Sequence, residues 1–287
     1  DGRNISAAKK AAAGADAVII VAGLTSNDEG EFIPLMTKGG DRSSLSLPRK
    51  QERLIEAAAG ANDNCIVVVE AGSAITMDKW IDKVSAAVMA WYPGMEGGNA
   101  LADILFGDAE PGGRLPITFP RSLDRLVPFD KWARRIEYTY FHGYRHFDRE
   151  DIEPLFPFGF GLGYTTFEYS NLSVSSGQTD PGGSVSISAV ITNTGLRTGD
   201  EVVQVYAGCP GARVERPVRE LKAFRRVTLD PGEEKTVSFE LPVKDLSYYE
   251  PSTKEWKVEP GEYRIWAGSS CRLADLPLSA TFSVGEK

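Results

Sequence analysis

The sequence predicts an α/β domain built on a mostly parallel sheet, followed by an all-β sandwich. In the first half, short apolar runs rich in β-branched residues alternate with helix-favouring segments, as they do in parallel sheets. In the second half, short strands of alternating polarity are separated by turns such as DPGG and DPGEE. We therefore predict an α/β domain at residues 1–150, a packed linker at 151–165 and a β-sandwich at 166–287.

The first half supplies strands and helices in alternation, which favours right-handed crossovers in a parallel sheet. The apolar run AVIIVAG is typical of a strand that is buried on both faces. The helix RKQERLIEAAAG follows a proline and ends at a glycine. The predicted strands are AVIIVAG, CIVVVEAG and AAVMAWYPG, and the predicted helices are ISAAKKAAAGA, RKQERLIEAAAG, TMDKWIDKV and EGGNALADILFGD.

The second half contains about seven strand-like segments, the number expected of an immunoglobulin-like sandwich. Its tryptophans, Trp256 and Trp266, lie in the strand-like segments KEWKV and YRIWAG and are predicted to be packing residues. The join DREDIEPLFPFGFGLGY is too apolar for a free linker, so we expect it to pack as a buried strap. The strands are predicted in TTFEYSNLSVSS, SVSISAVITNTG, DEVVQVYAG, RELKAFRRVTL, KTVSFELP, KEWKVEPGEYRIWAGS and LPLSATFSV.

Composition and charge exclude several classes of function. The 287 residues carry a net charge of −8, which argues against nucleic acid and against an anionic membrane surface as partners. No apolar run approaches the roughly 20 residues that span a bilayer. Because the first residue is not Met, we expect the chain to be part of a longer gene product, with any targeting signal upstream. The compartment is left open.

The cysteines and histidines do not predict a metal or cofactor. Cys65 begins an apolar run and is expected in the core, whereas Cys209 and Cys271 could form a disulfide. His142 and His146 are four residues apart and could share a helix face, but no third ligand is nearby, so local packing is favoured over a metal site.

An acidic cluster follows the first predicted strand. The segment GLTSNDEGEFIP contains Asp28, Glu29 and Glu31 just past the apolar run. Residues in this position lie at the edge where α/β sheets bind ligands. The cluster is either a solvated acidic loop or a general acid held over a substrate. Neighbouring acids are expected to raise the pKa of one member, as a general acid working near neutrality requires.

Five segments, in this order, resemble the C-terminal part of glycoside hydrolase family 3, the β-glucosidase and β-xylosidase family. The resemblance implies an α/β sandwich that lacks its first strand or two, followed by a fibronectin type III-like domain. The segments are GLTSNDEGEF, GGDRSSLSLPRKQERLI, WYPGMEGGNALADILFGDAEPGGRLPITFP, YTYFHGYRHFD and PLFPFGFGLGYTTFEYSNL.

The family resemblance also implies a function and a partner domain. Members carry a (β/α)8-type barrel that holds an aspartate nucleophile in a Ser-Asp-Trp-like segment, and this sequence has no such segment. The chain is therefore predicted to be the C-terminal half of a retaining, exo-acting β-glycosidase, most closely a β-glucosidase. It would act on β-linked glucosides or oligosaccharides together with that N-terminal barrel, without a metal or cofactor. The alternative is a catalytically silent carbohydrate-binding or structural subunit.

The resemblance assigns the acid/base role to Glu29, which aligns with the glutamate of the family's Glu-Gly-Xaa segment. Glu31 is the rival, and Asp28 is expected to tune the site or cap a helix. Gly30 is expected to allow a tight backbone bend beside the carboxylate.

Further residues are candidates for supporting the acid/base glutamate. Asp41 and Arg42 could form an ion pair that fixes the loop, or Arg42 could orient Glu29; the alternative is a simple helix-entry turn before Pro48. An aromatic platform for the aglycone could involve Phe32, Met36, Trp91 and Tyr92, although core packing is favoured for the last two.

Overall fold

The computed structural model describes residues 4–31, 42–130, 132–175 and 177–286. The chain divides into two compact units that alternate along the sequence. The first comprises Asp1–Asp108, Phe119–Glu137 and Pro154–Phe156, and the second Ala109–Thr118, Tyr138–Glu153 and Pro157–Lys287. The domain limits that the sequence predicts near residues 150 and 166 stay a prediction.

The first unit contains a three-stranded parallel sheet, as predicted. Its strands follow one another in the order β1 (Val18–Gly23), β2 (Cys65–Glu70) and β3 (Ala86–Met89). The described helices of this unit are α1 (Ile5–Ala13), α2 (Ser26–Glu29), α3 (Arg49–Ala59) and α4 (Gly97–Phe106).

The burial of β1 differs from the prediction. The central strand β2 is buried, with Val67, Val68 and Val69 all fully inaccessible, whereas Ile19 and Val21 of β1 are 48% and 57% exposed. Only alternate residues of β1 are buried, so the described residues cover one face of this strand and leave the other exposed. The expectation that this strand is buried on both faces was wrong.

The segment TMDKWIDKV forms less helix than predicted. Only a single 3-10 turn, Ile81–Lys83, is present, because Val84 is already extended and leads into β3. Trp80 before the turn is fully buried, while Ile81 and Val84 are partly exposed.

The second unit is a β-sandwich, as predicted. A short helix, α5 (Tyr144–Arg149), also belongs to this unit. The strands are β4 (Phe167–Val174), β5 (Gln178–Thr179), β6 (Ser184–Asn193), β7 (Gly199–Gly208), β8 (Glu220–Leu229), β9 (Glu234–Pro242), β10 (Tyr248–Glu250), β11 (Glu255–Lys257), β12 (Gly261–Gly268) and β13 (Leu278–Val284). One sheet has the strand order β5-β13-β12-β7-β8, the other has the order β4-β6-β9, and β10 pairs with β11 as a separate hairpin.

The sandwich core follows the alternation that is visible in the sequence. Strand β6 buries every second residue, from Val185 to Ile191, and β9 contributes Val237 and Phe239 to the same core. Period-two alternation places these side chains on one face of each strand, so the sequence pattern alone fixes the inward set.

The predicted strand KEWKVEPGEYRIWAGS is divided in two. Pro260 cannot donate a hydrogen bond to a neighbouring strand, and Gly261 has a φ of 147°. The predicted strand is therefore interrupted between β11 and β12. Trp266 on β12 is buried as predicted, but Trp256 on β11 is 70% exposed. The packing assignment was therefore wrong for Trp256.

The three cysteines are free thiols, and all are buried. Cys209 lies in the main sandwich core, whereas Cys271 lies in a separate cluster with Tyr206 and Trp266. The possible pairing of Cys209 with Cys271 is therefore not realised, because the two side chains pack in different clusters.

Neither a membrane-spanning helix nor a metal-binding cluster occurs among the described residues. No described helix is both long enough and apolar enough to cross a membrane. Within the same residues, no group of three or more His, Cys, Asp or Glu side chains could hold a metal ion. The side chain of His146 packs edge-on against Phe147, with ring centroids 5.8 Å apart.

Candidate active site

A single helical turn carries the acidic cluster past the end of β1. Thr25 caps this turn, since its hydroxyl accepts from the Asn27 amide at 3.3 Å. In return, the Asp28 carboxylate accepts from the Thr25 amide and the Thr25 hydroxyl, both at 2.9 Å. This reciprocal capping box engages Asp28 locally and leaves Glu29 at the end of the turn.

Helix α3 fixes the end of β1 from which this turn departs. The Gln51 side chain accepts from the Gly23 amide at 2.8 Å and donates to the Gly23 carbonyl at 2.9 Å. A side chain at Gly23 would meet the Glu70 carbonyl oxygen at 2.1 Å. Only glycine therefore fits at the end of the strand, and the starting point of the acidic turn is closely defined.

Among the residues that the structure describes, four hydrogen-bond donors converge on the Glu29 carboxylate, two on each oxygen. Oε2 accepts from the Gly72 amide at 2.7 Å and from the Tyr92 hydroxyl. Oε1 accepts from the Ser73 hydroxyl at 2.9 Å and from Arg42 Nη1 at 3.2 Å. Because each carboxylate oxygen offers about two lone pairs, the four donors occupy the whole accepting capacity of Glu29.

These donors come from the same edge of the parallel sheet. Gly72 and Ser73 follow β2, Tyr92 follows β3, and Glu29 follows β1. The carboxyl ends of adjacent parallel strands meet at one edge, which is where α/β sheets bind ligands. Glu29 lies 43 residues from Gly72 and 63 residues from Tyr92 in the sequence, and the strand order brings them together.

Arg42 joins the cluster from the segment before α3. Its Nη1 also donates to the Ser73 hydroxyl at 2.7 Å and to the Ala74 carbonyl at 3.3 Å, and its Nε donates to the Ser44 carbonyl at 3.1 Å. The side chains of Arg42 and Glu29 are only 11% and 13% exposed. The guanidinium is therefore held by several acceptors, in an orientation that faces the carboxylate.

Two glycines have steric roles at the site. A side chain at Gly72 would lie 3.0 Å from Glu29 Oε2 and 3.1 Å from the Tyr92 ring, so glycine leaves space for the carboxylate. Gly30 has an ordinary backbone, with φ of −66° and ψ of 153°. The expected tight bend is therefore not what requires glycine there; a side chain at Gly30 would instead meet the Ser26 carbonyl at 2.7 Å.

The hydrogen bonds set the protonation preference of Glu29. Burial alone would raise its pKa, but hydrogen bonds from Tyr92, Gly72 and Ser73 and the charge of Arg42 outweigh burial and lower the pKa. The expectation that neighbouring acids raise the pKa was wrong, because Asp28 is engaged by Thr25 while donors surround Glu29.

The cluster lies in an open depression of about 560 Å³. Glu31, Leu45 and Phe129 also line it. Tyr92 and Phe129 are each 54% exposed. The depression therefore offers a held carboxylate and two half-exposed aromatic rings to a molecule that enters it.

The structure brings three of the predicted site residues together. Arg42 contacts Glu29, which agrees with the alternative in which Arg42 orients the glutamate. Asp28 takes part in the cap of the helical turn, and Glu31 is exposed at the same depression. Phe32, Met36 and Asp41 lie outside the described residues.

The aromatic pair after β3 divides between two environments. Trp91 packs edge-on against Phe119 and has a φ of 56°, in the left-handed region. Tyr92 donates a hydrogen bond to Glu29 instead of packing in the core. The expectation of core packing was therefore wrong for Tyr92. Sequence reasoning also missed Gly72 and Ser73, although Gly72 ends the predicted strand CIVVVEAG and Ser73 directly follows it.

Comparison with known proteins gives two family matches and a set of close relatives. Residues 2–164 match the Glycosyl hydrolase family 3 C-terminal domain, and residues 201–271 match the Fibronectin type III-like domain. The chain is 43% identical over 273 residues to thermostable beta-glucosidase B of Acetivibrio thermocellus, and 41% identical over 275 residues to a beta-glucosidase of Rhizobium radiobacter.

These relatives are considerably longer than the chain. Both alignments cover 93% of this chain but only 35% and 32% of the relatives, so the chain spans about a third of their length. The GH3 beta-glucosidase structure from Bifidobacterium adolescentis superposes with a TM-score of 0.88 at 33% identity, covering 99% of this chain and 41% of that one.

Proposed function

Since the chain belongs to glycoside hydrolase family 3, we propose that it is the C-terminal part of a retaining β-glycosidase in which Glu29 is the general acid/base. The substrate class would be β-linked glucosides or oligosaccharides cleaved from one end. This choice follows the relatives, which are named beta-glucosidases.

One observation carries the proposal. The Glu29 carboxylate is held by four donors at the carboxyl edge of a parallel sheet and opens into a depression large enough for a sugar ring. A carboxyl group that is held by four directional hydrogen bonds has a far better defined position than a solvated carboxyl group at the surface. Proton transfer to or from a substrate requires such a defined position.

Retaining hydrolysis needs two carboxyl groups about 5–5.5 Å apart. In the first step, the nucleophile forms a bond to the anomeric carbon, the glycosidic C–O bond breaks, and Glu29 gives its proton to the departing oxygen. In the second step, Glu29 takes a proton from water as the water attacks that carbon, and the nucleophile leaves. We propose that the nucleophile is an aspartate of the N-terminal barrel of the same enzyme, so this chain alone would be inactive.

The proposal predicts a leaving-group signature for Glu29 in the full-length enzyme. A general acid matters most when the departing alcohol is a poor leaving group, and proton transfer is typically worth about 10²–10⁴-fold. Glu29→Ala should lower kcat/KM on cellobiose by a factor in that range. It should lower kcat/KM on dinitrophenyl β-glucoside far less, because dinitrophenolate departs without a proton.

Glu31→Ala is the matched control, since Glu31 lines the same depression. It should give a smaller loss of kcat/KM that is similar for both substrates. If the two variants exchange these behaviours, Glu31 is the acid. If neither variant depends on the leaving group, the acidic cluster has no catalytic role.

A further inference from the structure

The two oxygens of the Glu29 carboxylate are not equivalent. Oε1 faces the Arg42 cation at 3.2 Å and also accepts from Ser73. The described donors to Oε2 are both neutral: the Gly72 amide and the Tyr92 hydroxyl. A proton beside a guanidinium is electrostatically unfavourable, whereas a proton beside a hydroxyl is not.

We propose that the exchangeable proton of Glu29 is carried on Oε2, and that Tyr92 is the positioning residue that holds Oε2 in both protonation states. This inference rests on the proposed acid/base role of Glu29, because the position of the proton matters to catalysis only if Glu29 transfers it.

Tyr92 is the donor that can accommodate a proton on Oε2. A hydroxyl both donates and accepts, so it can turn and accept a hydrogen bond from protonated Glu29. The Gly72 amide can only donate, and protonation of Oε2 must therefore weaken or break its hydrogen bond. Ser73 Oγ lies on the other oxygen and already accepts from Arg42 Nη1 at 2.7 Å. Tyr92 is also half-exposed, which leaves its hydroxyl room to turn.

The charged groups around the pair support this division of roles. Arg42 faces Oε1, Asp28 acts electrostatically on Arg42 and is itself engaged by Thr25, and Glu31 lies at the depression. The hydrogen bond to Glu29, together with burial, raises the pKa of Tyr92. Tyr92 therefore remains a neutral hydroxyl over the pH range in which a glutamate titrates.

Nuclear magnetic resonance of the 287-residue chain can locate the proton. In the unmodified chain, the Gly72 amide signal should move with the same pKa as the Glu29 carboxyl carbon, because the amide donates to the oxygen that gains the proton. Glu29→Gln should abolish that movement. If the Gly72 amide does not follow the Glu29 titration, the assignment to Oε2 is wrong.

Tyr92→Phe tests the role of the hydroxyl. Loss of one donor to the carboxylate should raise the pKa of Glu29 by about one unit, a tenfold change in its acid dissociation constant. Tyr249→Phe, at another tyrosine that is 48% exposed, is the matched control and should leave this pKa unchanged. An equal pKa in the Tyr92→Phe and Tyr249→Phe variants would remove Tyr92 from the proposal.

Kinetics of the full-length enzyme separate this inference from the proposed function. In Tyr92→Phe, the alkaline limb of the pH profile of kcat/KM should shift to higher pH by the same number of pH units as the pKa of Glu29. If Glu29→Ala shows the leaving-group signature but Tyr92→Phe moves neither the limb nor the pKa, only the role of Tyr92 fails. If Tyr92→Phe moves the pKa but Glu29→Ala lacks the signature, the proposed function fails.

Discussion

At the scale of single residues, the environment of Glu29 favours the ionised carboxylate. Its four donors compensate for the burial of the charge and lower its pKa. This arrangement suits the second step of the proposed reaction, in which Glu29 acts as a base. The first step needs the protonated form, and the exposed Tyr92 hydroxyl is the donor best able to adjust to it.

Gly72 tests how closely the carboxylate must be held. A methyl group at Gly72 would lie 3.0 Å from Glu29 Oε2, so Gly72→Ala should push the carboxylate out of position. Because small misplacements of a catalytic group cost about 10²-fold, kcat/KM of the full-length enzyme on cellobiose should fall by roughly 10–100-fold. Gly72 is exposed, so thermal stability should change little.

Gly98→Ala is the control for this substitution. Gly98 lies in α4, and among the described residues no atom outside the backbone of that helix and the two neighbouring residues lies within 4 Å of a Cβ added there. The control should keep full activity. Equal activity in the two variants would show that the carboxylate tolerates displacement.

At the scale of secondary-structure elements, the sequence predicted the fold well and the site only in part. Strong alternation identified β6 and β9, and the apolar runs identified the three parallel strands. The sequence could not show that one face of β1 is exposed, because the burial of a short apolar run depends on residues that are distant in the sequence.

The same limitation explains what was missed at the site. Glu29 was assigned from a continuous motif, and that assignment stays a prediction, whereas its hydrogen-bond partners come from three other segments. Tyr92 looked like a core aromatic at the end of a strand, and only the strand order brings its hydroxyl to Glu29. The pKa direction was mispredicted for the same reason, since the sequence displays neighbouring acids but not converging donors.

Helix α5 carries a partly buried carboxyl group, that of Asp148, whose titration predicts a measurable pH dependence of stability. Asp148 Oδ1 accepts from Arg219 Nη2 at 2.5 Å. Burial nevertheless raises the pKa of Asp148 to about 6, above the value of about 3.9 for an unfolded aspartate. Because the pKa of Asp148 is higher in the folded state than in the unfolded state, protonated Asp148 contributes to the free energy of unfolding. This contribution is fully present below about pH 4 and is lost as the pH rises through about 6.

The predicted effect on stability follows from that difference in pKa. The free energy of unfolding of the wild type, relative to Asp148→Asn, should fall by about 2–3 kcal/mol between pH 4 and pH 7. Urea titrations followed through NMR signals of the sandwich strands measure it, and the asparagine variant provides the non-titrating reference. A relative stability that is constant or rises with pH would show that Arg219 dominates over burial.

At the scale of the whole molecule, we propose that the catalytic groups of one reaction come from two parts of a longer protein. The chain spans about a third of the length of its curated relatives, and we propose that it contributes the proton donor and acceptor while the barrel contributes the nucleophile. The central claim is that Glu29 is the group that transfers the proton in both steps.

Chemical rescue of Glu29→Ala in the full-length enzyme tests that claim most directly. With dinitrophenyl β-glucoside, the first step needs no acid, so the covalent intermediate should accumulate and its hydrolysis should limit the rate. Azide needs no general base, so it should restore turnover and yield the β-glucosyl azide, because its attack on the covalent intermediate gives net retention. Failure of azide to accelerate turnover, or formation of the α-azide, would contradict the assignment of Glu29 as the acid/base of a retaining glycosidase.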